Sequence, residues 1–163
     1  MEILIWAFLG GIAGAALMDV TENHAAKIGI NSGVNIALLG RWCLSLLHGR
    51  FSHRNILDSA PLPHEVKIGW AFHFLIGGGA VALLYPLFFL AAGLPLPANH
   101  LLGGVLFGLS TSLLPWFVLL PSFGWGVFGR HGPQGTNALL ASSLSHIPYG
   151  LGVGATIAAG LHL

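Results

Sequence analysis

Three ionisable residues fall inside stretches that are otherwise apolar: Asp19, His73 and His146. Ionisable groups in such stretches are rare and point first to function. A carboxylate and two neutral imidazoles suit zinc or non-haem iron, and an open coordination position would permit catalysis. Glu65 is a fourth candidate ligand. In a variant, His73 and His146 are the axial ligands of a haem. The same groups can instead pass protons or ions in a small transporter, because His titrates near neutral pH. A third reading leaves the layer structural, with His73 bonded to a serine and Asp19 paired with a loop arginine. The metal or haem site, opening to the cytoplasm, is the leading expectation, with the relay and the structural layer as alternatives, although no HExxH or comparable spacing sharpens the choice.

The spacing does place these residues at one depth. Asp19 lies eight residues before Lys27, His73 eight after Glu65, and His146 eight after Ala138. At 1.5 Å per residue each is about 12 Å inside its helix end. Polar neighbours extend each site. Glu22 and Asn23 follow Asp19 at i+3 and i+4, and Tyr149 follows His146 at i+3. Gly69 and Gly77 flank His73 at i−4 and i+4, as Ser142 and Gly150 flank His146, leaving open space on each face. Ser110-Thr111-Ser112 supplies a polar patch at the matching level of a further apolar stretch, with Ser112 a supporting candidate. Pro148 leaves the Leu144 carbonyl without its usual donor beside His146.

The elements that must carry these groups follow from composition. Of 163 residues only 7% are charged while 55% are hydrophobic, and the mean hydropathy is +0.80. A soluble domain carries roughly a quarter charged residues, so this chain lacks the charge to clothe a water-facing surface. A polytopic membrane protein of one domain is expected. One cysteine, Cys43, excludes an intrachain disulfide and a thiolate metal cluster within one chain. Glu2, with no Lys or Arg before the first apolar run, argues against a cleaved leader and for retention of that run as a span.

Four stretches reach the roughly 20 residues that a 30 Å hydrocarbon core requires, over about 3–20, 66–92, 101–120 and 138–161. Gly10/Gly14, Gly104/Gly108 and Gly150/Gly154 recur at four-residue spacing, which lets helix backbones approach closely in lipid. The expected fold is all-α, a compact bundle of four transmembrane helices. All six basic residues, Lys27, Arg41, Arg50, Arg54, Lys67 and Arg130, fall in the two segments on one side of such a bundle. The positive-inside bias then puts those segments in the cytoplasm and both termini outside, in the periplasm of a bacterial inner membrane.

The first cytoplasmic segment has a polar line at Arg41, Ser45 and His48, with Leu38, Leu39, Trp42 and Leu46 on other faces. An amphipathic helix over Val34–His48, lying in the membrane interface, is expected. Gly49–Ala60 reads as a basic irregular stretch near anionic headgroups, with His53 and His48 as interfacial residues. Pro61-Leu62-Pro63 opens the second span, and Glu65 in its first turn is favoured by the helix dipole. Ser122–Asn137 reads as an interfacial loop whose glycines lack the Gly-Lys-Ser/Thr of a phosphate-binding loop.

Met18-Asp19, Val34–Trp42, Gly49-Arg50-Phe51 with His53, Ala60–Glu65, Gly69-Trp70 with His73, and His146 with Gly150 together resemble a bacterial family of predicted small integral membrane proteins. That family is classed as a domain of unknown function, and the resemblance spans nearly the whole chain. It implies an inner-membrane protein with four spans and supplies no activity, cofactor or substrate. The expected partners are the lipid bilayer and a membrane-soluble or small polar substrate, with no nucleic acid; the oligomeric state is left open.

Overall fold

A computed structural model describes residues 2–161. The described chain is all-α, with five helices: α1 (Glu2–Lys27), α2 (Ile36–Leu47), α3 (Glu65–Ala92), α4 (His100–Ser122) and α5 (Asn137–Leu161). Single 3₁₀ turns occur at Ile56–Asp58 and Val127–Gly129. By length and composition α1, α3 and α4 can cross a membrane, and the chain is accordingly a membrane protein. α5 has the length, 25 residues, but Ser142, Ser143, Ser145 and His146 dilute it, and it does not join those three.

The helix ends have local causes. α1 stops at a Schellman motif: Gly29 takes φ +84°, its N–H bonds Ala26 O and that of Ile30 bonds Ala25 O. α2 starts at Asn35, whose side chain accepts from Leu38 N–H. α3 widens into a π-helix over Phe72–Ala80, the nine residues that contain His73 and the three-glycine run. α4 does so over Pro115–Leu119, where Pro115 cannot donate and Leu120 N–H reaches back to the Pro115 carbonyl. Neither π segment was expected from the apolar periodicity.

The chain forms two compact units: Met1–Thr21, Phe74–Thr111 and Leu144–Leu163 make the first, Glu22–His73 and Ser112–Ser143 the second. In the first, helices meet backbone to backbone through glycine. A Cβ on Gly104 would lie 2.3 Å from Gly150 O, and one on Gly150 would lie 2.1 Å from Gly104 O. Gly14 likewise abuts Tyr149 O, and Gly11 abuts Gly78 O. The face of Gly150 that was expected to be open beside His146 is therefore filled by α4.

The second unit packs two expected loops into one core. Leu38, Leu39, Trp42, Ile56, Leu120, Phe123, Trp125 and Ala138 form one buried cluster. The 53–56 segment pairs with the end of α4, His53 N–H to Ser122 O at 2.8 Å and Ile56 N–H to Phe123 O at 2.9 Å. Apart from the Ile56–Asp58 turn, Gly49–Ala60 is irregular as expected, but it is packed into the unit at His53 and Ile56, and Phe123–Trp125 is a turn buried in the same core. Gly40 and Gly69 bring α2 against α3, since an added Cβ would lie 1.7 Å from Glu65 O or 2.0 Å from Ile36 O. Gly69 is thus occupied by α2 rather than open beside His73.

α2 buries part of its polar line as well as the expected apolar residues Leu38, Leu39 and Trp42. Arg41 and Ser45 are buried, 8% and 9% exposed, while Leu47 is 81% exposed. The helix hides part of its polar line because those groups have partners within the unit.

Candidate functional site

The best-defined polar arrangement in the second unit is built on α2 and the start of α3. Arg41 faces Glu65 in a two-point ion pair, Nε to Oε2 at 2.9 Å and Nη2 to Oε1 at 3.0 Å. Its remaining Nη1 donates to Ser59 O at 2.8 Å and Ile56 O at 3.4 Å. Glu65 Oε2 also accepts from Leu62 N–H at 2.9 Å, closing the Pro61–Pro63 elbow. The hydrogen bond to Glu65 raises the Arg41 pKa above its ordinary value, so the guanidinium is permanently charged. Fork-to-fork pairing satisfies both groups where they are poorly hydrated. Glu65, a candidate metal ligand by sequence, is thereby committed to Arg41, and Arg41 to tying α2, the 56–59 turn and α3 together.

One turn along α2, Ser45 donates to Arg41 O at 2.8 Å and lies 3.3 Å from His53 Nε2. His53 is 8% exposed, and its Nδ1 is buried with no hydrogen-bond partner among the described residues. It sits inside the unit, not at an interface with headgroups. The sequence carried no signal for this, because its flanking residues Arg50, Phe51 and Arg54 are exposed. Asn55 is a second residue missed by sequence reasoning: its Oδ1 caps the 56–58 turn and accepts from Trp125 Nε1 at 3.1 Å.

The remaining candidates are distributed along their helices. Asp19 is half-buried on α1, His73 half-buried in the α3 π segment, and His146 half-buried on α5. The His73 ring lies 6.0 Å from that of Trp70 and the His146 ring 6.1 Å from that of Tyr149. None of Asp19, His73 and His146 is without a partner. Among the described residues, no group of three or more His, Cys, Asp and Glu is arranged to hold a metal ion.

The supporting residues have definite positions. Tyr149, 2% exposed, donates to Gly78 O at 2.8 Å and so fastens α5 to the π segment of α3. Ser142 accepts from Trp116 Nε1 and donates to Ala138 O at 2.9 Å. Ser112 is fully buried, and its Oγ has no hydrogen-bond partner among the described residues. Glu22 borders a cleft of about 280 Å³ with Asn23, Ala26, Asn31, Ser32, Gly33 and Val34.

With the geometry in place, the chain can be set beside known proteins. A family model described as protein of unknown function (DUF2938) matches residues 8–159. The chain belongs to the DUF2938 family. No curated protein and no solved structure matches it. Membership accounts for nearly the full length that the sequence motifs covered, and the family's description carries no activity to this chain.

Proposed function

We propose that this DUF2938 protein is a four-span inner-membrane protein that relays protons or moves a small polar ion, with His73 as the first candidate and Asp19 and His146 as further candidates, each on its own helix. In this reading α5 is the fourth span of a single membrane domain. Both termini are periplasmic, and the segments carrying all six basic residues are cytoplasmic, in keeping with the positive-inside bias. The observation that carries the reading is His73 within nine residues of π-helix in a span-length apolar helix. π segments inside helices recur at functional sites, and an ionisable residue in a span is a functional group first. Register supports the candidates: His73 lies eight residues after Glu65, Asp19 eight before Lys27, and His146 nine after Asn137, each about 12–14 Å along its own helix.

The experiment is flux in proteoliposomes loaded with a pH-sensitive dye. The wild type dissipates an imposed pH gradient and His73→Ala abolishes this while circular dichroism is unchanged. Equal dissipation by both proteins, or none by either, sinks the reading. Metal and haem analysis of the same preparation tests the alternative, since a stoichiometric metal or a Soret band lost in His73→Ala would replace a relay by a cofactor site. The orientation is tested apart, by Asn99→Cys in a Cys43→Ala background: labelling of intact cells by an impermeant thiol reagent is expected, and labelling only after lysis reverses the topology.

A further inference from the structure

The turn that follows α2 is built as a tip. Leu47 is 81% exposed and Phe51 55% exposed, while His48, Arg50 and Arg54 are exposed between and beside them. This is not a loose loop. Trp42 Nε1 donates to Phe51 O at 2.9 Å, His48 N–H bonds Ser45 O, and Gly49 takes φ +75° to make the reversal. His53 and Ile56 anchor the far side to Ser122 and Phe123. The scaffold therefore holds two large apolar side chains and two guanidinium groups outward at a fixed backbone. The nearby acid, Asp58, accepts from Asn55 Nδ2 at 3.3 Å.

We propose that this tip binds the surface of an anionic phospholipid layer, with Leu47 and Phe51 entering the acyl boundary and Arg50 and Arg54 taking headgroup phosphates. Apolar insertion beside basic charge is the combination that holds a peripheral segment on anionic lipid. A stable protein interface needs roughly 20–30 residues a side, far more than this tip presents. Each arginine near such a surface favours anionic lipid by about fivefold, so the pair should give roughly twenty-five- to thirtyfold preference.

The test uses the full chain in nanodiscs, labelled with a polarity-sensitive fluorophore at Ser52→Cys in a Cys43→Ala background. Increasing phosphatidylglycerol in phosphatidylcholine should blue-shift the label, and high salt should reverse the shift. Arg50→Gln with Arg54→Gln should remove most of the blue shift at a given phosphatidylglycerol content, a roughly twenty-five- to thirtyfold loss of preference for anionic lipid, with folding held, since both side chains are exposed. Leu47→Ser should reduce the shift at saturating anionic lipid. A label indifferent to lipid charge overturns the proposal, as does an equal response to inorganic phosphate added to purely zwitterionic discs.

Discussion

Glycine contacts and buried clusters occur inside both units of this chain, but each unit leans on a different one. The first relies on absent side chains: Gly104, Gly108, Gly150 and Gly154 let helix backbones touch at distances no Cβ would allow. The second relies on large ones, with Trp125 and Phe123 essentially inaccessible in a core closed by the Arg41–Glu65 pair. In lipid there is no hydrophobic drive between apolar helices, so close van der Waals approach supplies the association. A segment that carries arginine, glutamate and polar turns must instead satisfy those groups internally, and aromatic packing around a paired charge does so. The contrast is between packing by shape and packing by burial.

That contrast can be broken at defined points, with hydrogen exchange in detergent to read which unit loosens. The largest effect is expected in the second unit. Trp125→Ala removes a side chain 1% exposed together with its bond to Asn55, and should cost about 4 kcal/mol, with protection lost first across 36–60. Arg41→Ala strands Glu65 and should cost about 3 kcal/mol in thermal unfolding. Replacing both partners, Arg41→Met with Glu65→Met, should recover most of that loss, and a double variant worse than the single would show that the charge itself is required. Gly150→Ala should destabilise the first unit by about 2 kcal/mol, because its Cβ meets the Gly104 carbonyl. Its lost protection should fall within 100–111 and 144–160, and loss confined to the second unit would erase the distinction. The smallest effect is chemical. Burial pushes the Cys43 thiol up to about 11, some two units above an ordinary thiol, so its thiolate at neutral pH should be about a hundredfold scarcer. Alkylation of the native protein at pH 7 should be slow by that factor and should speed up on denaturation.

Much of the backbone plan was readable from the residues. Lys27 marks the end of α1, Pro63 and Glu65 the start of α3, and the Gly-x-x-x-Gly pairs the contacts of the first unit. The candidate site was less legible. The depth of Asp19, His73 and His146 follows from counting, yet Gly69 and Gly150, read as open space beside the histidines, are filled by Ile36 and Gly104. Arg41 and Glu65 are 24 residues apart, and no local pattern announces their pairing.

The class was legible from the residues alone: too few charges for a water-facing surface, stretches of membrane-spanning length, and basic residues confined to two segments. Those are properties of composition and spacing, which survive without knowing any contact. Which way each face points is a matter of contacts made on folding. In a soluble protein apolar residues turn inward by default, but beside lipid an apolar side chain is equally at home outside. Leu47 therefore faces out while Arg41 and Ser45 face in, toward Glu65, Ser59 and His53. The polar groups of α2 go where they find partners, and those partners are supplied by chain segments that only folding brings near.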